Sequence, residues 1–241
     1  MPSKILTLIP AYNESGRVGA VIDSTRTYLP VLVVDDGSTD GTAARAEEHD
    51  ATVLRQQPNQ GKGAALRAGF FWALDEGYEA VITLDADGQH DPAEIPKFLH
   101  IYSQCSADLI IGARDFSQIP LVRRFANTIG RWSLSWALGQ PVRDNQSGYR
   151  LHSRRMMEAV LNSQEQGFEF EVDVIVECVQ SGYQLEWVPI RTIYAEKRVI
   201  STPWSIQSIG CASFGVLVNA SARGKNFFGD GYQKNLHLTT F

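Results

Sequence analysis

Residues able to do chemistry cluster after short apolar runs. Asp85-Ala86-Asp87 follows Ala80–Leu84 (AVITL), and Gln89 and His90 come next. In extended backbone, residues i and i+2 share a face. Two carboxylates on one face at a strand end can share a hard divalent cation such as Mg²⁺ or Mn²⁺. Gln89 continues the alternation with an amide oxygen, and Ala86 is small enough to let a ligand approach the backbone. Taken alone, the segment reads equally well as an exposed acidic turn.

Two other clusters follow the same pattern. Pro10-Ala11-Tyr12-Asn13-Glu14 ends the run Lys4–Pro10, and Asp35-Asp36-Gly37-Ser38 ends the run Val31–Asp35. Each has an ordinary local explanation: Asp36-Gly37 as a turn, Asp40 or Asp91 as a helix cap. Together they gather negative charge on one edge, which costs energy unless a cation offsets it. Asn59-Gln60-Gly61-Lys62-Gly63 precedes a helical pattern. Glycines at a helix start let backbone amides approach an anion, and Lys62 adds a mobile cation. This segment lacks the Ser or Thr of a P-loop and the spacing of a dinucleotide fingerprint.

The elements that must position these clusters alternate. Apolar runs at Lys4–Pro10, Val31–Asp35, Ala51–Leu54, Ala80–Leu84 and Asp108–Ile111 read as strands. Helical spacing falls between them at Ser15–Leu29, from Asp40-Gly41-Thr42 to about His49, at Gly63–Glu76 and at Pro92–Tyr102. Alternation of this kind argues for βαβ units and a mostly parallel sheet with helices on both faces. Such sheets bind ligands at the carboxyl ends of their strands, where strand order reverses. The second half is less regular. Helices are expected at Leu121–Leu138, from about Ser153, at Glu171–Gln180 and at Ser205–Ala220, with a strand at Leu185–Ile190. One domain over 1–222 is expected, a nucleotide half at 1–115 and an acceptor half at 116–222, followed by a polar tail at 223–241.

Composition narrows the classes. With 44% hydrophobic and 20% charged residues, the chain of 241 residues reads as globular rather than disordered. Cys105, Cys178 and Cys211 lack metal-ligand or redox spacing and fit a reducing compartment. Val199 to Ala222 is the longest uncharged stretch, but Pro203 and its Ser, Gln and Asn residues make it a poor spanning helix. The net charge of −5 argues against a nucleic-acid partner. Charge is uneven: residues 1–100 hold fifteen Asp and Glu against eight Lys and Arg, and residues 114–155 hold eight Arg against two Asp. A basic stretch on an acidic chain points to a local anionic partner, a phosphate or an anionic membrane surface. Trp132 and Trp136 in the same stretch suit a membrane interface.

The order and spacing of Ile9–Glu14, Val34–Asp40, Asn59–Gly63 and Asp85–Asp87 resemble family 2 glycosyltransferases of the GT-A fold. Asp85–His90 together with Asp144-Asn145-Gln146-Ser147-Gly148-Tyr149-Arg150 is similar to the dolichol-phosphate mannosyltransferase-like subgroup. The resemblance implies an inverting transferase moving a hexose from GDP-mannose or UDP-glucose to a polyprenyl phosphate. It implies that Pro10, Tyr12, Glu14, Asp36 and the supporting Asp35 hold the nucleoside, with Lys62 and Ala86 at the same donor site. It implies Mg²⁺ or Mn²⁺ on Asp85, Asp87 and Gln89. It implies phosphate contacts from Arg114, Arg124, Thr128 and Ser147, with Arg123 and Asn127 sharing the spacing of Arg124 and Thr128. Arg191, Lys197 or Arg198 would close over the diphosphate. Asp87, Arg114 and Arg124 are the catalytic residues so implied. A phosphate nucleophile is already anionic and needs no general base; Glu171 and Asp173 stand in reserve for a hydroxyl acceptor. Transfer to a saccharide or protein hydroxyl, and a non-catalytic nucleotide-sugar scaffold, are the competing expectations. The expected location is cytoplasmic, peripheral at the membrane's cytoplasmic face or held by a membrane partner subunit.

Overall fold

In the computed structural model, residues 4–114, 132, 134–162 and 170–191 are described. Their strands are β1 (Ile5–Ala11), β2 (Val31–Asp36), β3 (Thr52–Gln56), β4 (Ala80–Thr83), β5 (Leu109–Arg114), β6 (Arg150–Ser153) and β7 (Leu185–Ile190). Their helices are α1 (Val18–Thr25), α2 (Thr42–Glu48), α3 (Lys62–Asp75), α4 (Ile95–Cys105), α5 (Arg154–Asn162) and α6 (Phe170–Gln180). The strands form one seven-stranded sheet in the order β3-β2-β1-β4-β6-β5-β7. β6 runs antiparallel to both β4 and β5, and the other pairings are parallel.

Side chains alternate across the sheet with the period of two that strands impose. Leu6, Leu8, Leu32, Val34 and Val81 pack with Phe70 of α3 and Met156 and Ile175 of α5 and α6. Ile9, Val33, Ile82 and Leu151 pack with Ile22 of α1 and Ile95 and Phe98 of α4. Both faces are therefore covered, which explains the unbroken apolar runs. Gly69 sits inside α3 because a Cβ there would lie 2.4 Å from Leu8 Cδ1. Glycine costs a helix interior about 1 kcal/mol, and here it lets α3 lie directly on β1. Phe70, one residue on, is fully buried.

The expected elements of the first half are present with shifted ends. The helix at Pro92 begins as a 3-10 turn over Pro92–Glu94, with the Asp91 carboxylate accepting the Ala93 amide at 2.9 Å. The third strand lies slightly later than its apolar run, at Thr52–Gln56, because it pairs with β2 through Asp36↔Gln56. The four residues of β6 carry no run of their own and are fixed by their neighbours. Helix is present at 134–138, within the expected Leu121–Leu138; its first part and Ser205–Ala220 lie outside the described residues.

Candidate active site

Strand direction brings the polar clusters to one edge. The carboxyl ends of β1, β2, β4, β5 and β7 share it, and antiparallel β6 delivers its amino end there, with Arg150 beside Thr83 and Ile111. Chain order reverses between β1, which leads outward to β2 and β3, and β4 on its other side. That is the crevice where open α/β sheets take ligands.

On the β2 side, carboxylates are occupied by backbone. Asp36 is 3% exposed and accepts the amides of Gln60 at 2.8 Å and Gly61 at 2.7 Å. Its carbonyl accepts Asn59 Nδ2 at 3.0 Å. The anion that meets the glycine-bearing loop is thus the protein's own Asp36, a correction to the expectation that these amides await a ligand. Asp35 accepts the Ser38 amide at 3.2 Å. Asp40 accepts the Thr42 hydroxyl at 2.5 Å, the Thr42 amide at 3.1 Å and the Ser15 amide at 3.1 Å. The Thr42 hydroxyl is the chief reason that the Asp40 carboxyl is held down to about 2. Asn13 adopts a left-handed φ of 54° and exchanges bonds with Ser38 and Thr39. The loops after β1 and β2 are stitched together in this way. Tyr12 stands 51% exposed above them, and Glu14 is paired with Arg17 at 2.5 Å.

On the β4 side, charges meet side chains. β4 ends at Thr83, and residues 86–87 form a turn, so Asp85 and Asp87 do not share a face by strand alternation. The turn closes by the Gln89 amide donating to Asp87 Oδ1 at 2.9 Å. Lys62, the first residue of α3, places its Nζ 2.6 Å from Asp85 Oδ1 and 2.9 Å from Glu171 Oε1. Burial by itself would depress the lysine; the two carboxylates override it and hold the ammonium above its ordinary value. Burial opposes ionisation of Asp85 and Glu171 as well, yet Lys62 holds both below the usual carboxylate range. The Asp85 amide donates to His90 Nδ1 at 3.2 Å. Burial pushes His90 down, in keeping with Nδ1 as an acceptor there, and its ring lies tilted against Tyr149 at 5.1 Å between centroids.

The loop before β6 completes this side. Arg114, at the end of β5, grips Asp144 with two bonds, Nε at 2.7 Å and Nη2 at 3.0 Å. Asp144, 1% exposed, also accepts the amides of Gln146 and Ser147. Arg150 is fully buried and donates to the carbonyls of Ser147 at 2.7 Å, Glu171 at 2.5 Å and Asn145 at 3.3 Å. Burial brings its guanidinium down to about 10, so it stays charged. Gly148 roofs the Lys62–Asp85 pair: a Cβ there would lie 2.8 Å from Asp85 Oδ2 and 3.0 Å from Lys62 Nζ. Ser147, an expected phosphate contact, is fully buried and its hydroxyl lacks a partner among the described residues.

The structure therefore brings together Pro10, Tyr12, Glu14, Asp35, Asp36, Lys62, Asp85, Ala86, Asp87, Gln89, Arg114, Ser147 and Arg191 at one edge. Arg124, Thr128 and Lys197 lie outside the described residues. Asp144 and Arg150 figured in the sequence only as part of a motif and Glu171 only as a reserve base; here they shape the site. Among the described residues, no group of three or more His, Cys, Asp or Glu could hold a metal ion. Two carboxylates with open positions suit a cation completed by phosphate oxygens better than an all-protein cage.

Residues 7–164 match the family described as Glycosyl transferase family 2. The chain belongs to that family. A relative from Micrococcus luteus, undecaprenyl-phosphate mannosyltransferase, is 33% identical over 211 residues, 80% of this chain and 85% of the relative. Polyprenol monophosphomannose synthase of Mycolicibacterium smegmatis is 32% identical over 78% of this chain and 76% of its own. Among solved structures, glucosyl-3-phosphoglycerate synthase from Mycobacterium tuberculosis superposes with a TM-score of 0.70 at 19% identity, covering 92% of this chain and 80% of that one. The same synthase has been solved with Mn²⁺, UDP and glucosyl-3-phosphoglycerate. This family 2 protein is a glycosyltransferase enzyme with a GT-A fold, a mostly parallel sheet flanked by helices. Among its described residues, no helix is long and apolar enough to cross a membrane.

Proposed function

We propose that this family 2 transferase moves a hexose, with inversion, from a nucleotide-diphosphate sugar such as GDP-mannose or UDP-glucose to a polyprenyl phosphate. The observation that carries the reading is the β4 edge: Asp85 and Asp87 in the crevice, Arg114 beside them, and relatives named for polyprenyl-phosphate transfer. The donor set fits a hard divalent cation. Asp85 Oδ1 already faces a cation, the Lys62 ammonium at 2.6 Å, and Asp87 and the side chain of Gln89 would add oxygens from the adjoining turn, which the Gln89 amide closes on Asp87. Mg²⁺ or Mn²⁺ held by Asp85, Asp87 and Gln89 would stabilise charge developing on the departing diphosphate.

The remaining roles fall to the chain itself. Tyr12 and Glu14, on a loop that Asn13 and Glu14 bond to Ser38, Thr39 and Thr42, line the nucleoside side with Pro10, Asp35 and Asp36. Arg114, oriented by Asp144, meets a phosphate; Arg124 and Thr128 serve the acceptor, and Arg191 and Lys197 the donor diphosphate. An acceptor phosphate attacks as an anion, so no side chain must remove a proton. Glu171, which would be the base for a hydroxyl acceptor, has its carboxylate taken by Lys62 at 2.9 Å. That pairing favours the phosphate acceptor.

Trp132 and Trp136, four residues apart and 71% and 69% exposed, support a peripheral position at the cytoplasmic face of a membrane or against a membrane partner subunit. The test is sugar transfer from labelled GDP-mannose and UDP-glucose to polyprenyl phosphate, with Mn²⁺, Mg²⁺ or chelator. Label should enter the organic phase with metal only, and Asp87→Ala should lower turnover by about 10²-fold or more. Label confined to water-soluble products would sink the lipid acceptor, and metal-independent turnover would sink the Asp85–Asp87 role.

A further inference from the structure

Lys62 is a flexible cation between two firmly mounted carboxylates. Its backbone is fixed at the start of α3 because Asp36 accepts the two preceding amides at 2.8 and 2.7 Å. Asp85 is anchored through its amide to His90. Glu171 sits in the first turn of α6, whose carbonyl at the same residue is held by Arg150 at 2.5 Å. The ammonium spans the gap, 2.6 Å from Asp85 Oδ1 and 2.9 Å from Glu171 Oε1. Gly148 closes over the pair so tightly that a single Cβ would crowd both partners.

A divalent cation on Asp85 Oδ1 needs the lone pairs that the ammonium now takes. Two cations on one carboxylate repel, so the lysine has to withdraw as the metal arrives. Glu171 gives it somewhere to remain, because one Lys Nζ bonds either carboxylate with little movement of its stem. We propose that Lys62 is a resident counter-ion exchanged for the divalent cation at Asp85, with Glu171 as the second station that keeps the ammonium after exchange. The proposal rests on the metal reading of Asp85 above. Metal loading is then a swap of cations at an edge whose charge stays compensated, and Lys62 acts as a positioning residue through both carboxylates.

Mn²⁺ binding to the full chain without nucleotide, followed by electron paramagnetic resonance of the free ion, tests it at neutral pH. Lys62→Gln removes the competitor and should tighten Mn²⁺ several-fold, up to about tenfold, the scale of a partly exposed ion pair. Glu171→Gln removes the second station and should weaken it by a similar factor. Long-range charge alone would produce both signs, so the double variant decides. Exchange predicts that Glu171→Gln has little effect once Lys62 is gone, whereas independent charge effects add. Additive changes, or Lys62→Gln no tighter than wild type, overturn the exchange. Wild-type protein supplies a check that needs no stable variant. The Lys62 ammonium resonance in a ¹H–¹⁵N spectrum should shift on saturation with Mg²⁺, and an unmoved resonance overturns the proposal. Absence of Mn²⁺ binding in wild type and Lys62→Gln alike overturns the metal reading together with the exchange.

Discussion

On the β2 side of the crevice, Asp36 and Asp40 accept backbone amides from neighbouring loops and from their own turn at 2.7 to 3.1 Å. On the β4 side, Asp85 and Glu171 face the ammonium of one lysine. Both regions are acidic and both follow parallel strands, yet they solve the charge problem differently. An amide bonded to a carboxylate is part of the chain and cannot leave without unfolding a loop. A lysine side chain can leave at the cost of a few rotamers. The partner of an acid at this edge thus separates scaffold from exchangeable site, where composition alone cannot.

Stability measurements by denaturant unfolding can break that distinction. The largest loss is expected for Arg150→Met, about 3–5 kcal/mol, because three carbonyls around a buried charge lose their donor together. Asp36→Ala should follow at about 2–3 kcal/mol, since it strands the Gln60 and Gly61 amides. A third test uses pH. Burial lowers His152 from 6.5 to about 3, so the unfolded chain takes up that proton first. Its contribution is fully present above 6.5 and is lost progressively as pH falls toward 3. His152→Leu should flatten the acid limb of the stability curve over that window, measured as melting temperature against pH. The smallest change is expected for Asp85→Asn, within about 1 kcal/mol, because its ion pair with Lys62 is partly exposed, 29% and 41%, and screened. Mn²⁺ affinity and turnover should collapse in that variant all the same. An Asp85→Asn protein as unstable as Asp36→Ala would erase the distinction between the two sides.

Much of the first half was legible in the sequence because it is built locally. Ala80–Leu84 or Gly63–Glu76 announces its type through its own periodicity, and the polar residues that end each strand fall on the edge that parallel pairing dictates. The β6 side was harder. Arg150–Ser153 has no pattern that distinguishes a strand; it exists because β4 and β5 flank it. Nothing near Arg150 signals that its guanidinium holds the carbonyl of Glu171, or that Lys62 reaches Glu171 across the fold. Such contacts depend on topology, which periodicity does not encode. The glycine-bearing loop misled for a related reason. Its amides look ready for an anion, and only the register of β2 against β3 reveals that Asp36 already supplies one.

The clasp between Arg114 and Asp144 has a consequence for how such an enzyme can diversify. Arg114 ends β5 and Asp144 lies just before β6, so the chain departs from and returns to nearly one point, tied there by two bonds. Of the described residues between them, Leu134 and Val142 are buried in the core shared with Phe70, Met156 and Ile175. The clasp and these two side chains hold the segment to the sheet, so its sequence is free to drift only at positions that neither of them uses.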